Sequence, residues 1–471
     1  MIQIRRFGLH RAALTTRLPF RYGIAVMTTC PHAFVEVEAE IDGVIQRGIA
    51  ADHLPPKWFT KDPARDPQDE IQDMVDVIRH AASAAAGIRA PSIFAFWEEL
   101  YRRQGAWGTS AGHPPLLHHF GTSLVERALI DAYCRLQGRP FHELLRSGAF
   151  SVELGHLHPE LEGTQAVDWL PSRPADSVIC RHTVGLADPL TDADIGPGEA
   201  VNDGLPQSLA EHIRRHGLKH FKIKIKSDGG QSLPRLVAVA AVIEEMTGGD
   251  YAVSLDGNEG FATVAEFWDY WRQASGQPEL ARLFRHLLYV EQPFLRSTAL
   301  SDEVRDGFRA WPERPPMIID ESDAEADSLR RAIACGYIGT SHKNCKGVFH
   351  GLGNACLLAR QRRLEPGVRW TMSGEDLSNI GPVALLQDLA VQAALGNETV
   401  ERNGHQFFRG LSFWPEEVQR EALHYHPDLY RATSAGWPTV DVRGGRISTR
   451  GVNLAPFGAA VIPLLNSFPP L

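Results

Sequence analysis

Three carboxylates each end an apolar run. Asp256 follows Ala252-Val253-Ser254-Leu255, Glu291 follows Leu287-Leu288-Tyr289-Val290, and Asp320 follows Met317-Ile318-Ile319. They are spaced 35 and 29 residues apart, each near the length of one strand-plus-helix unit. Any one of these acids could simply open a loop or cap a helix; three in series point to a shared task. Hard, negatively charged oxygens suit Mg²⁺, with Mn²⁺ an alternative, and leave coordination positions for water or substrate. Lys222, Lys224 and Lys226 alternate along 220–226 and so share one face of a strand. On a strand buried on both sides, lysines are costly unless used. Lys343 ends a further run, 23 residues after Asp320.

These residue types suit one chemistry. A proton α to a carboxylate is weakly acidic, because its removal creates a dianionic enediolate, and a divalent cation on the carboxylate stabilises that charge. A lysine becomes a base when a nearby cation lowers its pKa, which Lys222 and the metal would do for Lys224. Lys343 would approach from across the mouth and serve the opposite face.

The elements that must position these groups alternate from about residue 180. Predicted strands cover 181–185, 220–225, 251–256, 287–291, 317–320, 338–343, 370–373 and 406–411. Helical stretches such as 235–246, 264–271, 328–334, 351–362 and 382–395 lie between them. Eight such strands favour a parallel β/α barrel, whose C-terminal strand ends converge on one mouth. An open doubly wound sheet would usually carry a Gly-rich phosphate turn, and no G-x-G-x-x-G stands after a strand.

Residues 1–60 read as strand and turn, with alternation over 33–41 leading into Asp42-Gly43. Three helices follow: one capped by Asp66 with Pro67 at its first position, one starting near Ser92, and one carrying Leu124, Val125, Ala128 and Leu129 before Gly138. The five arginines before Glu36 could mark a targeting peptide, but no apolar core or cleavage site follows, and a β-strand is the better reading. The uncharged tail 451–471 has too many prolines for a spanning helix and is expected to pack across another part of the protein.

The 471 residues are 43% hydrophobic and 22% charged with a net charge of −9, a balance that excludes a disordered chain and argues against nucleic-acid or membrane partners. The six cysteines form no C-x-x-C pair, which predicts free thiols and a cytoplasmic setting.

The ordered set Lys222-Ile223-Lys224, Leu255-Asp256-Gly257-Asn258, Glu291-Gln292-Pro293, Asp320-Glu321-Ser322 and Lys343, with the 126–140 helix, resembles the enolase superfamily in its mandelate racemase/muconate lactonizing enzyme branch. The resemblance implies an α/β fold: a modified (β/α)₇β TIM-type barrel (151–414), an α+β capping domain (1–150), and a C-terminal segment (415–471) completing the cap. It implies Mg²⁺ on Asp256, Glu291 and Asp320, with Lys224 and Lys343 as acid/base catalysts on opposite faces and Lys222 assisting. Lysines on the second and sixth strands point to the muconate lactonizing-like subgroup. Cap loops close over the barrel in this family, so Arg21, Tyr22, His53 and Trp58 are substrate candidates, with Asn258, Glu375 and Asp376 from the barrel; Arg21 could pair with a distal anion. Lys346 is a second candidate beyond Lys343, Lys226 leaves open which lysine faces the substrate, and His342 and His405 are expected to be structural. The 35-residue interval suggests an inserted loop.

The function so implied is a Mg²⁺-dependent isomerase or lyase acting on a small carboxylate, a racemase/epimerase or cycloisomerase, able to form a homo-oligomer. The alternatives are a dehydratase of acid sugars or hydroxy acids by syn β-elimination on the same site, or a catalytically silent binding protein of the same fold.

Overall fold

A computed structural model describes residues 1–22 and 24–471. The chain opens with an antiparallel sheet of three strands in sequence order, β1 (Ile2–Tyr22), β2 (Ala25–Ile41) and β3 (Val44–His53). Alternation along β2 buries Val35, Val37 and Ala39, while Glu38 and Glu40 on its other face pair with Arg6 (2.8 Å) and Arg5 (2.6 Å) of β1. The pairing of β1 with β2 shifts register between Ile4 and Arg6 and again between Thr15 and Phe20.

Of the helices α1 (Pro67–Ala86), α2 (Ile93–Ser110) and α3 (Pro115–Gln137), α1 and α3 pack on this sheet, and α2 packs against both of them. The first two are capped by Asp66 and Ser92, and Gly138 ends the third in the left-handed region. Gly48 lets α3 lie directly on β3, because a Cβ there would stand 2.1 Å from the Ala128 carbonyl oxygen. The buried Arg127–Asp52 pair (2.8 Å) ties the same two elements together.

Eight parallel strands form the second unit: β4 (Ser177–Val184), β5 (His220–Lys224), β6 (Ala252–Asp256), β7 (Leu287–Glu291), β8 (Met317–Ile318), β9 (Gly339–His342), β10 (Thr371–Gly374) and β11 (Thr399–Glu401). They pair in sequence order, β11 returns to β4, and an Ile319–Thr340 bridge joins β8 to β9, closing the barrel. The 35-residue interval holds two extra short helices, Pro278–Leu280 and Ala281–Arg285.

The eighth strand is a correction: it is Thr399–Glu401, whereas Gly404–Phe407 is a short helix. The apolar character of 406–411 has another cause. Phe407 stacks on Phe20 (4.1 Å between centroids) and Phe408 packs against His53 (4.9 Å), so these side chains meet the N-terminal sheet.

Beyond the barrel, β12 (Tyr430–Ala432) pairs with β13 (Pro438–Val440), and β14 (Arg446–Ser448) runs antiparallel to the start of β4. The uncharged tail lies along β1: Leu471 N–H donates to Leu9 O (3.0 Å) and Arg11 N–H to Pro469 O (3.0 Å). All six cysteines are buried and unbridged. Among the described residues, no helix is long and apolar enough to cross a membrane.

Candidate active site

Register builds the floor of the site. Lys224 pairs with Asp256, and Asp256 with Glu291, so three adjacent strands end in one row of ionisable groups. A 3₁₀ turn over Asn344–Lys346 follows β9 and brings both Lys343 and Lys346 back onto Asp320.

Lys222 is buried among four carboxylates: Glu291 (2.7 Å), Glu401 (2.8 Å), Asp256 (3.0 Å) and Glu375 (3.1 Å). Lys224 reaches Asp256 (2.6 Å). Lys343 bridges Asp320 (2.6 Å) and Glu375 (2.7 Å), and Lys346 approaches Asp320 (3.0 Å). Arg181, buried inside the barrel, holds the other oxygen of Glu375 at 3.1 Å.

The local field follows from these contacts. Burial pulls the Lys222 and Lys343 amines down, but the acids around them prevail and hold both well above the ordinary lysine range. Burial raises the carboxyls of Asp320 and Glu375, yet the neighbouring lysines override it and hold both well below the usual range. Glu291 goes the other way: burial, then Glu375, push its carboxyl well up.

The donor set fits a divalent cation. Oxygens of Glu291, Asp320 and Glu375 lie within 4.8 Å of one another, and Glu291 Oε2 is buried without a hydrogen-bond donor. Asp256 is outside this triple, its Oδ2 being engaged by Lys222 and Lys224. Gln292 orders the neighbouring strand end: its side-chain oxygen accepts from Asp320 N–H (2.8 Å) and Ser322 N–H (3.2 Å).

A cavity of about 520 Å³, open solvent at its mouth included, stands over this floor. Lys222, Lys224, Lys343, Asp256 and Asp320 line it, with Glu291 buried beneath. Asn258, Glu375 and Asp376 reach it from the barrel loops, Tyr22 and Trp58 from the N-terminal unit. Two candidates do not line it. Arg21 is exposed, because alternation on β1 turns Phe20 and Tyr22 inward and Arg21 outward. His53 is fully buried elsewhere, its Nδ1 3.1 Å from Leu377 O, and burial lowers its pKa to about 4. Lys226 lies past the end of β5, exposed.

Glu401 and Arg181 were missed. Glu401 carries the same signal as the other acids, a carboxylate ending a strand, hidden by the misplaced eighth strand. Arg181 inside an apolar strand gave no spacing signal of its own.

No family model matches the chain, and no curated protein matches it. Solved structures do. An enolase from Bradyrhizobium complexed with magnesium and mandelic acid aligns with a TM-score of 0.58 at 17% identity, over 96% of this chain and 95% of that one. An N-succinyl Arg/Lys racemase from Bacillus cereus gives 0.58 at 15% identity, over 96% and 97%. A mandelate racemase/muconate lactonizing protein from Herpetosiphon aurantiacus gives 0.54 at 15%, over 95% and 98%. The protein thus has the fold of the enolase superfamily, a capped and modified TIM barrel.

Proposed function

We propose that the protein is a divalent-metal-dependent enzyme that removes the proton α to a carboxylate and returns it, a racemase or epimerase of a small organic acid. One observation carries this reading: Lys224 and Lys343, from the second and sixth of eight strands and hence from opposite sides of the barrel, line the same cavity over a carboxylate floor. The fold it shares with a racemase supports it.

Glu291 and Asp320, common to the predicted ligand set and to the observed triple, would hold Mg²⁺, with Asp256 on one side and Glu375 on the other as the neighbouring carboxylates. Bound there, the ion supplies positive charge opposite the substrate carboxylate and the enediolate formed from it. The floor alone is formally neutral: Asp256, Glu291, Asp320, Glu375 and Glu401 face Lys222, Lys224, Lys343, Lys346 and Arg181. Charge added to a neutral floor acts on the substrate, and a dianionic enediolate gains more from it than a monoanionic carboxylate does. Lys224 Nζ takes the α-proton on one face, Lys343 Nζ delivers one on the other, and the roles reverse for the opposite enantiomer. Lys222, locked among its acids, holds their charge in place.

The test is ¹H-NMR in D₂O with the Mg²⁺-loaded protein against hydroxy acids, N-acylamino acids and dipeptides. Lys224→Ala and Lys343→Ala should each lower racemisation by about 10²–10⁴-fold, the range for a lost acid/base group, while each keeps α-exchange of one enantiomer. Full racemisation by either variant would exclude the two-lysine scheme. Loss with only one lysine replaced, the other being dispensable, would favour β-elimination.

A further inference from the structure

The charged groups lining the cavity all stand on its barrel side, and each has a partner. Asp376 pairs with Arg402. Glu401 receives Lys222 (2.8 Å) and Asn403 (2.8 Å). Asp256, Asp320 and Glu375 are matched to the lysines described above. The facing wall has another character. Phe20, Tyr22, Met27, Pro55 and Trp58 come from the N-terminal unit, and Leu377 continues the same surface from the barrel rim. Tyr22 donates its hydroxyl to Pro56 O (2.7 Å), which leaves the ring as its contribution. Among the described residues, this wall brings no ionisable acid, lysine, arginine or histidine into the cavity, and Arg21 points away.

The wall is also held in place. Arg296, paired with Glu259 (2.8 Å), donates to Trp58 O (2.9 Å) and Phe59 O (2.8 Å). Trp58 stands edge-on to Phe59 (4.7 Å between centroids), its ring 5.2 Å from Lys343 Nζ. An anchored aromatic side chain therefore sits next to one of the two amines.

We propose that the site takes a monocarboxylate whose α-carbon bears an aryl or branched-alkyl group, the carboxylate on the acid–lysine floor and the substituent against Trp58, Phe20 and Leu377. This rests on the α-proton reading and narrows it. A second carboxylate or a cationic side chain would be desolvated against apolar groups with no counter-charge, whereas an apolar substituent gains from the same burial.

Calorimetric titration of the Mg²⁺-loaded protein with phenylacetate, glutarate and 4-aminobutyrate tests the wall in the wild type. Phenylacetate should bind at least 10-fold more tightly than the other two. Trp58→Ala should weaken phenylacetate at least 5-fold and leave glutarate unchanged, and Met27→Arg should tighten glutarate at least 10-fold. Equal affinities, failure of phenylacetate to bind, or a Trp58→Ala variant with unaltered phenylacetate affinity would overturn the proposal. Exchange of the phenylacetate α-protons with D₂O, followed in parallel, separates the two readings. Preferential binding without exchange sinks the chemistry and keeps the wall; exchange without preference sinks the wall alone.

Discussion

Glu375 binds two lysines and an arginine at once: Lys343 at 2.7 Å, Lys222 at 3.1 Å and Arg181 at 3.1 Å. It therefore links the strand carrying one amine to the strand carrying the other. Replacing it with glutamine keeps its shape and removes its charge, leaving the floor with an excess positive charge where a divalent cation would bind. Unit charges about 4 Å apart interact by about 4 kcal/mol at the effective dielectric of protein sites, so the change is large for an ion's affinity. A Glu375→Gln protein should bind Mg²⁺ at least 10-fold more weakly by calorimetry while keeping its circular dichroism. Unchanged affinity would place Glu375 outside the ion's surroundings.

Helix α3 connects the N-terminal unit to the loop that carries Lys343. Its Glu126 accepts from Val348 N–H (3.1 Å) and Phe349 N–H (2.7 Å), the first donors of the helix that follows the Lys343–Lys346 turn. Burial pushes this carboxyl up to about 7 in spite of those donors. A folded-state pKa above the unfolded value gives stability that is complete below about pH 4.5 and is lost as pH rises through 7, about 3 kcal/mol in all. Urea unfolding at pH 5 and pH 8 should therefore show Glu126→Gln gaining on the wild type as pH rises; parallel behaviour would contradict it. The same helix tests the contact with β3. Gly48→Ala would drive a methyl into the Ala128 carbonyl, and a loss of about 2 kcal/mol or more in urea unfolding is expected.

At the scale of the whole molecule, neutral histidines are buried throughout. Burial lowers His53, His158 and His216 to about 4 and His182 and His342 to about 3. A depressed folded-state pKa gives stability that is complete above about pH 6.5 and lost as pH falls through the folded value. Each such group forfeits about 3 kcal/mol by pH 4. Several together match the roughly 5–15 kcal/mol that holds a typical domain. Raised carboxyls such as Glu126, Glu291 and Glu321 oppose them, while Asp320, Asp323 and Glu375, held low, lose stability in the same direction as the histidines. Near-UV circular dichroism should show cooperative acid unfolding between pH 4 and 6, and a native signal persisting at pH 4 would contradict this.

The sequence by itself determined the barrel and the identity of most of its floor. An apolar run that ends in Asp256, Glu291, Asp320 or just before Lys343 is a local pattern, and parallel topology sends every such end to one mouth. The helix starts at Asp66 and Ser92 were legible for the same reason, since capping is settled within a few residues. Only the tertiary structure decided which groups meet. Closing the sheet brings Glu375 and Glu401, from the seventh and eighth strands, onto Lys222 of the second. Packing against the N-terminal sheet, not strand pairing, accounts for the apolar run at 406–411. The side of β1 that faces the barrel puts Phe20 and Tyr22 in the cavity and Arg21 in water. Periodicity gives the two faces of a strand but not what lies opposite each, because that depends on residues hundreds of positions away.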